Sequence, residues 1–189
     1  MVYLQQERIS MDNNLYEKTL DSKKIYEGRI VELRKDTVLL PNGKEAPREV
    51  IRHPGGVCIA ALENDMLYLV RQFRYPYNEI LLEVPAGKLN WGEDPLECGK
   101  RELLEETGLE ADEYTYLGKL YPSPAYLNEV IHMYLARGLT KKKQALDEDE
   151  FLEVVKMPLQ EAVSGIMSGE IKDAKTQAAI LKLKIITES

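Results

Sequence analysis

The chain has 189 residues, of which 44% are hydrophobic and 30% charged, with a net charge of −7. That is the composition of a soluble globular protein with room for one sizeable core, or a core plus a small added element. The acidic balance argues against general nucleic-acid binding, two cysteines (Cys58 and Cys98) make neither a disulfide framework nor a zinc site, and no apolar stretch is long enough to span a membrane.

Residues 1–14 are polar, lack clear periodicity and lack the apolar centre of a signal peptide, so a loosely ordered tail and a cytoplasmic protein are expected. Residues 15–52 are expected to form an N-terminal β element. From Lys24 onward IYEGRI, IVELRKDTVLL and EAPREVIR read as short strands, punctuated by Gly28 and by the hairpin turn Pro41-Asn42-Gly43. So few strands are not stable alone; they must lie on the main body or pair with another chain.

The main body is expected over 53–189. GGVCIAAL, MLYLVRQFRY and EILLEVPAG read as strands, the first two joined by a turn at Asn64-Asp65. A helix follows. Asp94 can cap it, Pro95 suits its first turn, Glu97 can complete a capping box, and Gly108 ends it. Further strands are expected over Tyr114 to Leu120, Val130 to Leu139 and Phe151 to Met157, then a helix from Pro158 through Met167 and a closing helix from Ala174 to Ile186. Strands and helices out of strict alternation imply an α/β or α+β sandwich. The charge-dense run KKKQALDEDE, 141–150, reads as a mobile loop.

The first helix carries the chemistry. Successive helical residues turn by about 100°, so Glu102, Glu105 and Glu106 share one face while Leu96, Leu103 and Leu104 can face a core. Three like charges on one face destabilise a helix, and a divalent cation is the natural neutraliser. Hard divalent ions on oxygen ligands neutralise anionic oxygens and lower the pKa of water.

The pattern Gly87, Glu93, Arg101-Glu102-Leu103, Glu105-Glu106 and Gly108-Leu109 resembles the Nudix box at the family's spacing. Leaving out the two leucines, seven fixed identities at roughly 6% usage each would arise by chance on the order of once in 10⁸ starting positions, so a merely solvated acidic helix is set aside. The resemblance implies a Nudix α/β/α sandwich with a mixed sheet, plus the N-terminal antiparallel β element. It also implies a requirement for magnesium (or manganese) and hydrolysis of a nucleoside diphosphate derivative. By the same resemblance Glu102 and Glu106 are the principal metal ligands, Glu105 a third, and the Ala86 carbonyl completes the shell. Arg101 either orients these carboxylates or is a surface arginine paired with Glu97 or Glu105. Glu93 is expected to bond backbone in its loop. In ADP-ribose-hydrolysing relatives a glutamate on a late loop activates water as the loop closes on substrate. Here Glu148 and Glu150 are the candidates, and Glu150, nearer the anchoring strand, is favoured.

RQFRYP, LLEVPAGKL, YPSPAYLNE and LDEDEFLEV extend the resemblance, over roughly 15–183, to the ADP-ribose pyrophosphatase branch. Pro124 corresponds to that branch's proline beyond the box, and Glu129 to a glutamate assisting metal or diphosphate binding. Arg52 and Arg74 match basic positions near substrate, and Glu83 an acid lining the cleft. Ser123-Pro124-Ala125-Tyr126 departs from the usual Ser-Pro-Gly-Phe, and Ala125 restricts the backbone there. The implied reaction yields AMP and ribose 5-phosphate. Other ADP-sugars, GDP-mannose and NADH are the alternatives, with a non-catalytic ADP-ribose sensor behind them. The N-terminal strands imply either a homodimer sharing its sites or a simple sheet extension of a monomer. No nucleic-acid or membrane partner is expected.

Overall fold

The computed structural model describes residues 15–146, 148 and 150–188; the expected tail over 1–14, together with Asp147 and Asp149 of the late loop, lies outside them. The chain divides into two compact units, one of residues up to His53 together with Ser123–Asn128, the other Pro54–Pro122 with the remainder from Glu129.

In the first unit β1 (Lys18–Glu27), β2 (Glu32–Leu39) and β3 (Glu45–Arg52) form an antiparallel sheet in that order. The first strand begins at Lys18, earlier than the reading from Lys24. Its start shows no apolar alternation, and polar pairing holds it instead. Arg34 donates to the Ser22 hydroxyl at 2.7 Å and to the Ser22 carbonyl at 3.1 Å, and Ser22 donates to Asp36. The turn at Pro41-Asn42-Gly43 is present, with Gly43 at φ 79°. The 123–128 loop runs beside β3, where Ile51 donates to the Tyr126 carbonyl at 2.7 Å and accepts from Asn128 at 3.1 Å.

The second unit is built on a seven-stranded sheet. Its strands are β4 (Gly56–Glu63), β5 (Met66–Arg74), β6 (Glu79–Glu83), β7 (Ala86–Lys88), β8 (Leu109–Leu120), β9 (Ile131–Lys141) and β10 (Leu152–Pro158). The order is β10-β5-β4-β9-β8, with β6 on β5 and β7 on β4. β4 and β9 pair in parallel and the other pairs are antiparallel, so the sheet is mixed as expected. β8 starts at Leu109, five residues before Tyr114, because the polar run after Leu109 can occupy an edge strand without burying its side chains.

The apolar run of β4 is buried on both sides, and its alternation divides the core. Val57, Ile59 and Ala61 pack with Cys98 and Leu103 of α1 (Pro95–Thr107). Cys58, Ala60 and Leu62 pack with Leu159 and Ala162 of α2 (Leu159–Ser168) and with Ala179, Ile180 and Leu183 of α3 (Ala174–Thr187). A helix on one face and two on the other make the α/β/α sandwich. A Cβ at Gly99 would lie 2.6 Å from Ile59 Cδ1, so this mid-helix glycine lets α1 sit close on β4. Among the described residues no helix is long and apolar enough to cross a membrane.

Candidate active site

The ends of α1 form as its sequence requires. Asp94 accepts hydrogen bonds from the Leu96 and Glu97 amides at 2.9 and 3.1 Å, and Gly108 closes the helix at φ 66°, its N–H on the Leu104 carbonyl at 2.8 Å. The capping box is not completed in the expected way: Glu97 faces Lys100, one turn on, at 2.7 Å.

The acidic face is organised by Arg101 and by the turn at β7. Arg101 stands 2.8 Å from Glu102, 2.9 Å from Glu105 and 3.3 Å from Glu93, so its planar fork holds three carboxylates at once. The helical pair with Glu105 is common to both readings of Arg101, and the contacts to Glu93 and Glu102 come in addition to it. Glu93 also accepts from the Asn90 amide at 2.8 Å, which folds the loop ahead of the helix. Glu106 is 2% exposed and accepts from the Ala86 amide at 3.0 Å. Burial pushes its carboxyl up to about 8; the Ala86 N–H opposes the rise, and repulsion from Glu150 and Glu102 adds to it. The Glu102 carboxyl is raised as well, first by burial and against the pull of Arg101.

Gly87 fits Glu102 tightly. A Cβ there would lie 1.8 Å from Glu102 Cδ, well inside any real contact, so only glycine leaves room for the carboxylate against the β7 backbone. Nearby, a Cβ at Gly56 would lie 3.2 Å from the Gly87 carbonyl and 3.6 Å from Glu129 Oε1, which sets Glu129 beside the same turn.

Among the described residues no three His, Cys, Asp or Glu side chains stand together at ligand spacing, and Glu102 and Glu105 are drawn onto Arg101. The donor set nonetheless suits a hard divalent ion. Glu106, buried on the Ala86 amide, and Glu102, against the Gly87 backbone, bring hard carboxylate oxygens to one turn.

Glu83, matched to a cleft acid by resemblance, is a buried acid paired with two cations. At 1% exposure it accepts two bonds from Arg74, at 2.6 and 2.7 Å, and one from Lys175. Burial pushes its carboxyl up, but Arg74 and Lys175 outweigh that and hold it below the usual range. Lys175 is itself bridged to Asp173, the N-cap of α3, at 3.0 Å. Sequence reading missed Lys175, whose partner lies 92 residues away; no local pattern marks such a residue. The Arg74 charge also acts on Glu106.

Of the two loop glutamates, the Glu150 charge raises the carboxyl pKa of both Glu102 and Glu106, and Glu148 is exposed. Glu150 also lines a pocket of about 400 Å³ with Arg71, Phe73, Ile80 and Phe151. Arg52 closes β3 and Pro124 lies in the 123–128 loop, both in the N-terminal unit. The two thiols are chemically quiet, Cys58 and Cys98 each pushed up to about 12 by burial.

The NUDIX domain family matches residues 52–181, and the nucleoside diphosphate sugar hydrolase N-terminal domain matches residues 17–51. The chain is 43% identical over 172 residues to a methanol dehydrogenase activator of Bacillus methanolicus, covering 89% of this chain and 93% of the relative. It is 41% identical over 175 residues to an ADP-ribose pyrophosphatase of Bacillus subtilis (strain 168), covering 91% and 95%. A crystal structure of an ADP compounds hydrolase shares the fold at a TM-score of 0.82 and 23% identity, over 92% of this chain and 96% of that one.

Proposed function

The chain belongs to the Nudix family and is a hydrolase, and from that premise we propose that it cleaves the diphosphate of ADP-ribose with water, giving AMP and ribose 5-phosphate. The observation that carries the reading is the pair of box carboxylates, Glu102 and Glu106, seated on the Ala86-Gly87 turn. The substrate is supported by the B. subtilis relative, similar over nearly the whole of both chains.

Glu102 and Glu106, with Glu105 and the Ala86 carbonyl, would hold magnesium or manganese. A divalent ion supplies neutralisation of the diphosphate charge and a more acidic water. Arg101 keeps the carboxylates in place. Arg74, itself held by Glu83, and Arg52 offer planar donors to the diphosphate. Glu129 assists beside the Gly87 turn, and Pro124 shapes the substrate loop. Glu150 accepts the proton of the attacking water. Glu150→Gln is expected to lower kcat at least tenfold at saturating magnesium, and Glu148→Gln less than threefold. Near-full turnover by both variants would remove the loop from the chemistry.

The N-terminal strands build a homodimer in the cytoplasm, a reading supported by the exposed Leu20, Ile25 and Tyr26 of β1. Light scattering is expected to return twice the chain mass of 21.6 kDa; a 21.6 kDa species at micromolar concentration would refute it.

Phosphatase-coupled phosphate release from ADP-ribose, other ADP-sugars, GDP-mannose and NADH tests the substrate. ADP-ribose is expected to show a kcat/KM at least about tenfold above GDP-mannose and NADH. A higher value for either rival would reassign the substrate, and no turnover of any would favour a sensor. The B. methanolicus relative favours a second reading, an effect on an alcohol-oxidising enzyme. Adding purified methanol dehydrogenase to the chain, with and without ADP-ribose, separates that reading from hydrolysis alone.

A further inference from the structure

The last turn of α1 exposes backbone carbonyls that the helix cannot satisfy. In this chain a segment distant in sequence satisfies two of them and the Gly108 carbonyl just beyond the helix. The Ala145 amide donates to the Glu105 carbonyl at 3.1 Å, the Lys142 amide to the Gly108 carbonyl at 2.7 Å, and the Gln144 side-chain amide to the Glu106 carbonyl. The fit is close: a Cβ at Gly108 would lie 2.9 Å from both the Gln144 nitrogen and the Lys142 carbonyl oxygen. The box glycine therefore serves the strap as well as the left-handed helix end.

The sequence reads 141–150 as one mobile loop, yet its first half is fastened to the turn that carries Glu105 and Glu106. Glu150 follows Leu146 by four residues, a span of at most roughly 14 Å for an extended chain. A tether of that length limits where Glu150 can go relative to the turn that carries Glu105 and Glu106.

We infer that Gln144 is a positioning residue: its amide fixes the segment leading into the Glu148 and Glu150 loop against the carboxylate-bearing turn of α1. The inference rests on the reading of Glu150 as the proton acceptor. Within it, Gln144 touches neither substrate nor reacting atoms. Its effect on rate passes through Glu150.

The test uses the full chain, with kinetics on the best substrate of the panel and amide exchange measured without substrate. Gln144→Ala is expected to speed exchange of the Lys142 and Ala145 amides more than about tenfold. It is expected to lower kcat about five- to twentyfold while KM stays within about twofold. Gln144→Lys keeps a donor on a longer chain and places a cation at a helix C-terminus, and it should recover at least half of both effects. Unchanged exchange in Gln144→Ala overturns the inference. So does a kcat loss that tracks a fall in Tm and is not recovered by lysine, since that marks a plain helix cap. Should no substrate be turned over, the function reading fails separately, and exchange with its rescue by lysine alone decides whether Gln144 holds the segment.

Discussion

Glu106→Gln is expected to cut kcat on the order of 10²-fold or more, the scale on which removing one electrostatic stabiliser of a charged transition state acts. The same change is expected to make the metal-free protein more stable at alkaline pH. Burial is the main reason that the Glu106 carboxyl lies near 8 rather than at its ordinary 4.5. For an acid whose folded pKa is raised, ionisation opposes folding. The penalty is absent below about 4.5, grows as pH rises, and is complete above about 8. Each unit corresponds to about 1.4 kcal/mol, so the variant should gain on the order of 5 kcal/mol at pH 8.5. Glutamine keeps an oxygen for the Ala86 amide and loses the charge. Thermal denaturation in chelator from pH 5 to 8.5 measures this: the wild-type Tm should fall relative to the variant as pH rises. Added magnesium should reverse the order by stabilising the wild type alone. Parallel Tm curves in chelator would show that Glu106 carries no such penalty.

Gly87→Ala is expected to lower kcat about a hundredfold and to weaken manganese binding, with a stability change below about 1 kcal/mol. The physical reason is a clash with one movable atom group. The added Cβ would lie 1.8 Å from Glu102 Cδ and 2.1 Å from Glu102 Oε1, while Gly87 is not among the positive-φ residues, so alanine adopts this backbone without strain. The Glu102 side chain can swing aside at little cost to folding, but it then leaves the site. Replacing glycine also restricts the unfolded chain, which offsets part of the cost. Kinetics, manganese titration calorimetry and Tm on one preparation check the pattern. Retention of more than half the activity would mean that Glu102 works from another position.

Local chemistry was readable. Asp94, Pro95 and Gly108 announce a helix because capping depends on neighbours within four residues, and the Asn64-Asp65 turn appears with both residues at positive φ, 50° and 62°. β1 was read short, because Arg34 and Asp36 of the next strand hold its polar start. Glu83 was matched to a cleft acid by resemblance, which does not say what covers it. Lys175, from the far end of the chain, covers it.

By itself the sequence determined the box helix, the face its carboxylates share, and hence the class of cation chemistry, since each follows from spacing along one helix. Only the tertiary structure decided how those equivalent acids differ. Glu106 is buried on the Ala86 amide and Glu102 lies against Gly87. It also decided that the 142–146 segment is fastened to the helix end. Desolvation and long-range pairing set these differences, and both depend on which distant residues the fold brings together.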